Sequence, residues 1–131
     1  MNQIVKALEE TKVFYVATVD GDQPRVRPFG AVMEYKDKIY FSTSNTKNVY
    51  HQIMKNPKVE ICGCKPDGTW VRVSGRLIRD DSDAARSAML EKMPELKNMY
   101  HVGDGIFEVL FLENPKATLY SMTDAPKEIA G

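Results

Sequence analysis

Short β-forming runs, each closed by a turn signal, recur along almost the whole chain, and this rhythm constrains the fold more than any other feature. VFYVATV (13–19) runs into the turn Asp20-Gly21-Asp22-Gln23-Pro24, and Arg25 to Met33 alternates as a second strand paired back in a hairpin. Lys36-Asp37 turns the chain into a third strand, IYFST from Ile39. Val59 to Cys64 is the fourth, and Lys65-Pro66-Asp67-Gly68 leads to a long alternating fifth over Thr69 to Ile78. Two last strands, IFEVLFLE and KATLYSM, are separated at Asn114-Pro115. Helical spacing breaks the rhythm in three places. Residues 2 to about 10 put Ile4, Val5 and Leu8 on one face. A helix capped by Asn45 or Thr46, with Val49, Ile53 and Met54 on one face, ends at Asn56-Pro57. A third, capped by Ser82 or Asp83, runs to about Lys92, where Pro94 interrupts it before a short helix reaching Met99 or Tyr100. The expectation is a mainly β fold with peripheral helices, an antiparallel barrel rather than a doubly wound sheet. No glycine-rich phosphate loop follows any strand, so a dinucleotide-binding fold has no support.

Length and charge narrow the function classes. At 131 residues the chain suits one domain spanning 1–131, with a loose tail from about 123 to 131. Lysine plus arginine and aspartate plus glutamate balance at 18 each, so no global field favours nucleic acid or an anionic membrane, and any anion must be held locally. No run approaches the ~18 apolar residues of a membrane helix, and MNQIVKALEETK reads as a charged amphipathic helix rather than a signal peptide. Cys62 and Cys64, two apart on one strand face, span too far for an unstrained disulfide; reduced thiols in the cytoplasm are expected.

Three segments offer chemistry. In the second strand Arg25, Arg27 and Phe29 share a face opposite Val26, Pro28 and Gly30, and the arginine face is read as outward. A solvated edge strand accounts for such arginines, yet Arg27 beside Phe29 also offers bidentate anion recognition next to an apolar platform. Residues 42–48, STSNTKN, group Ser42, Thr43, Lys47 and Asn48 where a strand meets a helix N-terminus, whose free N–H groups and positive dipole end suit a phosphate. A polar turn with an N-cap serves as well for this pattern. In the fifth strand Trp70, Arg72, Ser74 and Arg76 alternate with an interior set, Val71, Val73, Gly75 and Leu77; Trp70 either closes one end of the core or lies in a covered surface. No catalytic triad or metal-ligand spacing is present, His51 and His101 are isolated, and Asp80, Asp81 and Asp83 are explained by capping.

PRVRPF (24–29), IYFSTSNTKNVYHQIMKNPKVEI (39–61) and TWVRVSGRL (69–77), in this order and spacing, resemble the FMN-binding split-barrel family of pyridoxamine 5'-phosphate oxidase and its shorter relatives. The resemblance implies a split barrel that binds FMN at a homodimer interface, where the second subunit completes the pocket. It implies that Arg27 and Lys47 hold the phosphate, with Ser42, Thr43 and Asn48 nearby and the backbone of Val26, Arg27, Pro28 and Phe29 along the isoalloxazine. By the same resemblance, the position of Trp70 looks like one where the oxidases use a glutamine near the flavin, and Asn48 and Val49 stand in place of their basic pair, leaving Lys47 as the nearby cation. The end, ATLYSMTDAPKEIAG, lacks the Arg-x-His element that holds the vitamin B6 substrate, so pyridoxamine phosphate oxidation is not implied. The short relatives resemble flavin reductases and nitroimidazole reductase-like proteins. The function expected is an FMN-dependent oxidoreductase passing electrons to a small nitroaromatic, quinone or flavin acceptor, with no side chain assigned as catalytic. The alternatives are a non-catalytic flavin- or haem-binding module and a deazaflavin-dependent reductase.

Overall fold

The computed structural model describes residues 2–131. The β-branched and aromatic runs form eight strands: β1 (Phe14–Asp20), β2 (Gln23–Phe29), β3 (Val32–Tyr35), β4 (Lys38–Ser44), β5 (Lys58–Cys64), β6 (Trp70–Asp80), β7 (Phe107–Tyr120) and β8 (Lys127–Ile129). They make one antiparallel sheet in the order β2-β1-β5-β6-β7-β4-β3, with β8 beside β7. Its two edge strands, β2 and β3, are consecutive in the chain and separated only by Gly30 and Ala31. A two-residue link cannot span a flat sheet of this width, so the sheet curls until its edges approach without pairing. This is a split barrel. Pro24 and Pro28 are tolerated in β2 because an edge strand leaves alternate N–H groups unpaired.

The helices seal the barrel. In α1 (Gln3–Thr11) the Asn2 carboxamide accepts from the Val5 N–H at 3.0 Å as N-cap, and Ile4, Val5, Ala7 and Leu8 are buried. Removing Ile4 or Leu8 from water contributes roughly 1.5–3 kcal/mol each. They join Phe14 and Phe41, edge to face at 5.7 Å, in the main core. α3 (Asp83–Lys92), capped by Ser82, presses Ala85, Met89 and Leu90 against Met33, Tyr40, Phe107 and Val109 in a second core. α2 (Asn48–Lys55) buries Val49 and Ile53 and stops before Pro57; Met54, expected on the same face, is 42% exposed.

Several expectations change. The run Arg25 to Met33 is two strands, not one, because the chain breaks at Gly30-Ala31 to change edges. The face assignment in β2 is reversed: Val26 is 66% exposed, whereas Phe29 packs on the core and Arg27 is half-buried. The expected gap at Asn114-Pro115 is a bulge inside one continuous strand. Ser74 pairs with Lys116 and Arg76 with Glu113, so Gly75 alone faces Asn114 and Pro115. Asn114, at φ 53°, takes the left-handed conformation that asparagine tolerates. The tail is not loose throughout, since Lys127–Ile129 pairs with Ala117–Leu119.

Candidate functional site

The walls of the site come from β2, the β4–α2 turn and the chain after α3. Edge-strand position decides the fate of Arg27: with no further strand beyond β2, its side chain folds back over β1 toward α2. Its guanidinium donates to the Val16 carbonyl at 3.1 Å, the Thr18 hydroxyl at 2.7 Å and Gln52 Oε1 at 2.6 Å. Three of its five N–H groups are thereby committed, which fixes its orientation and leaves two for a ligand. Burial, and behind it the charge of Arg25, lowers its pKa, yet a guanidinium remains a cation at physiological pH. Arg25 instead forms an exposed ion pair with Asp20 at 3.2 Å.

The β4–α2 turn is not capped as expected. Asn45 donates to the Gly105 carbonyl and to Glu108, and Thr46 pairs with the Ser44 hydroxyl at 2.7 Å. The N-cap position falls to Lys47, which makes no side-chain cap bond. The first amides of α2 are therefore left without a side-chain acceptor, beside an exposed ammonium, and an anion is the complementary partner. Ser42 and Thr43 lie at the end of β4 leading into this turn.

These groups converge on a cleft of about 320 Å³ whose wall includes Arg27, Pro28, Phe29, Ser42, Thr43 and Lys47. Sequence reasoning missed its opposite wall, Met93, Leu96, Met99 and Tyr100, on the 3₁₀ turn Pro94–Asn98 and its flanks. The sequence marks that segment as a short helix after Pro94 reaching Met99 or Tyr100, but a short helix after a break does not say which surface it will cover. Tyr100 is held by stacking on Phe107 at 4.9 Å. The cleft thus has a cationic, hydroxyl-bearing end and a largely apolar wall in which Glu95 is the one carboxylate. Val26 and Asn48 lie instead on a larger cleft of about 810 Å³ between the β1–β2 hairpin and α2, with Arg27 in the wall shared by both. Trp70 lines neither; it stacks on Tyr120 at 5.7 Å, with Arg72 over the same ring. Among the described residues no group of His, Cys, Asp and Glu is placed to hold a metal. Cys62 and Cys64 are free thiols, and burial followed by the neighbouring Cys64 pushes Cys62 up.

Behind the turn lies an ionic cluster, buried at Glu108 and Arg86 and open to water at Asp81 and Asp83, that the sequence did not announce. The Glu108 side chain, 4% exposed, accepts from Arg79 at 2.9 Å and Arg86 at 3.1 Å, while Arg86 also reaches Asp81 and Asp83. Burial alone would raise the Glu108 pKa, but hydrogen bonds from Arg79, Asn45 and Arg86 outweigh it and hold the carboxyl below its ordinary range. Asp81 and Asp83, expected as caps, serve this cluster, and Asp80 accepts from the Tyr40 hydroxyl at 2.7 Å.

The family model described as pyridoxamine 5'-phosphate oxidase matches residues 1–113. The chain belongs to the pyridoxamine 5'-phosphate oxidase family. A NimC/NimA family protein from Clostridium acetobutylicum is 44% identical with a TM-score of 0.96, the alignment covering 98% of this chain and 90% of that one. Two other structures share the fold at lower identity. A pyridoxamine 5'-phosphate oxidase-related, FMN-binding protein from Nostoc punctiforme is 20% identical at a TM-score of 0.67, covering 98% of this chain and 95% of that one. A heme binding protein from Mycobacterium smegmatis is 17% identical at 0.73, covering 95% of this chain and 57% of that one. No curated protein matches the chain. This member of the pyridoxamine 5'-phosphate oxidase family has Lys47, Arg27, the Ser42 and Thr43 hydroxyls and an uncapped helix start at the end of a partly apolar cleft.

Proposed function

We propose that residues 1–131 form one FMN-binding domain and that the protein is an FMN-dependent oxidoreductase acting on a small nitroaromatic, quinone or flavin acceptor. The observation that carries this reading is the meeting of Lys47, Arg27 and the free α2 amides at one end of a cleft whose other wall is apolar. A phosphate suits the first and a planar ring the second, so the donor set fits FMN. Bound there, FMN would supply the two-electron redox chemistry; the chain's residues bind, orient and exclude water. Lys47 and the α2 amides neutralise the phosphate, Ser42 and Thr43 stand beside it, Asn48 opens the helix, and Arg27 is pre-set by Gln52 and Thr18 so that little ordering is left at binding. The backbone of Arg27 to Phe29 and the side chains of Leu96 and Tyr100 would bound the ring, while Val26, expected beside them, lies on the larger cleft. No side chain is assigned as acid or base.

The FMN-binding name of the Nostoc protein and the NimC/NimA relationship both support this reading. Cys62 and Cys64, both free, suit a reducing compartment such as the cytoplasm. A second reading, a non-catalytic flavin- or haem-binding module, draws on the larger cleft, which His51 lines. The absorption spectrum of the purified protein separates the two cofactors: the paired near-ultraviolet and blue bands of a flavin are expected, and a Soret band would overturn FMN. Reoxidation of the dithionite-reduced protein by a panel of nitroaromatics, quinones and flavins then tests catalysis, with pyridoxamine 5'-phosphate expected to leave the flavin oxidised. Inertness toward every acceptor would make the protein a binding module.

A further inference from the structure

We infer that Asn45 and Glu108 are positioning residues for the anion-holding turn, fixing the α2 start in place from the ionic cluster behind it; the inference rests on the FMN reading above. The turn has few ties of its own. The Ser44 and Thr46 hydroxyls bond to each other, and Lys47 makes no side-chain cap bond. β4 enters the turn through the Ser44–Phe107 ladder pair and α2 leaves it on buried Val49; between these two ends, the side chain that ties the turn to the rest of the fold is Asn45. The Asn45 N–H donates to the Ile106 carbonyl at 2.9 Å, and its carboxamide donates to the Gly105 carbonyl at 2.8 Å and to Glu108 Oε2 at 2.9 Å.

The groups that receive Asn45 are themselves immobilised. Asp104 accepts from the Ile106 and Phe107 amides at 2.9 Å each, which shapes the loop that presents the Gly105 carbonyl. Glu108 Oε1 is held by Arg79 and Arg86, and Arg86 Nε is tied to the Phe107 carbonyl at 2.9 Å. Two arginines on a carboxylate with 4% exposure form a rigid, fully paired base. Asn45 is the neutral adaptor between that base and a site that must stay positive. A cationic adaptor would compete with Arg79 for Glu108, and an anionic one would set two carboxylates against each other.

Electrostatics and positioning make opposite predictions for Glu108→Gln. Removing a negative charge near the phosphate strengthens phosphate binding if charge alone matters. It weakens it if the carboxylate holds the turn, because an amide cannot accept from both arginines and Asn45 with both of its polar atoms. Asn45→Ala leaves the arginine–carboxylate pairs intact and removes only the adaptor. The experiment is calorimetric titration of the full chain with FMN and with riboflavin, which lacks the phosphate, at a temperature where scanning calorimetry shows each variant folded. Both variants are expected to lose about tenfold in FMN affinity, the scale of a lost hydrogen bond, with riboflavin affinity unchanged. A general loosening of the fold would weaken both ligands alike and overturn the inference. So would FMN binding in Glu108→Gln and Asn45→Ala that is unchanged or tighter, while Lys47→Ala still weakens it; that outcome leaves the FMN reading standing. A wild-type protein that binds no flavin overturns both.

Discussion

Lys47 is the cation of the cleft with nothing else to do. Arg27 spends three N–H groups on Val16, Thr18 and Gln52, whereas Lys47 makes no cap bond and, among the described residues, no ion pair. Replacing it therefore removes ligand contacts without disturbing packing. Lys47→Ala should weaken FMN binding about ten- to hundredfold, the scale of one charge-assisted hydrogen bond, with little change in thermal stability; calorimetry with FMN and a melting curve check the two halves. Glu108 is the opposite case, a charge committed to the fold. Hydrogen bonds from Arg79, Asn45 and Arg86 hold its folded pKa below that of a free glutamate, so the stability it contributes is fully present above the unfolded pKa and is lost as pH falls through the lower folded one. Urea unfolding between pH 7 and pH 3 should show this loss in the wild type and a shallower one in Glu108→Gln, which should also cost about 1–3 kcal/mol at neutral pH.

At the scale of elements, the bulge between β6 and β7 keeps the sheet continuous. One residue of β6 faces two of β7, and Gly75 is the one. A Cβ at this position would lie 2.7 Å from Leu112 Cδ1 and 2.9 Å from the Glu113 carbonyl oxygen, and the second of these is backbone that cannot swing away. Gly75→Ala should therefore destabilise the protein by about 1–3 kcal/mol, as overpacking does, read as a lower urea midpoint with an unchanged slope. The α2 start shows another economy of the fold: its cap position is filled by a residue that cannot cap, which costs some helix stability and leaves the amides open to a ligand. Local helix rules pointed to Asn45 or Thr46 because both are good caps, but Asn45 is drawn away by Gly105 and Glu108, sixty residues and more along the chain.

For the molecule as a whole, the reversal of β2 relocates the apolar surface. Phe29, half-buried, packs against the core, and the outward face of the β1–β2 hairpin carries Tyr15 at 49% exposure and Val26 at 66%, with Pro28 exposed opposite Tyr15. Tyr15 and Pro28 are direct partners in the ladder, as are Ala17 and Val26, so these side chains share one face. An apolar strip of this kind is costly to leave in water and suits a two-fold contact between copies. Light scattering at micromolar concentration should give twice the chain mass, and Val26→Glu should shift the protein to monomer; a monomeric wild type that binds FMN tightly would contradict a shared pocket.

What the sequence determined by itself was whatever depends on neighbours a few residues apart. Strand periodicity placed the interior set Val71, Val73 and Leu77, each at most 1% exposed, and Asn56-Pro57 marked the end of α2. The ordered motifs singled out Arg27, Ser42, Thr43 and Lys47, four of the residues that line the smaller cleft. Tertiary structure decided what depends on distant partners. The period of two says that Arg27 and Val26 face opposite ways but not which way is in, and that was settled by Gln52 on α2 and by the edge position of β2. Asn114-Pro115 reads as a strand break until Gly75, across the ladder, gives it room to bulge. The apolar wall of Met93, Leu96 and Tyr100 and the Asn45–Glu108 anchor join segments that touch only once the sheet has curled, and no local pattern encodes such a meeting.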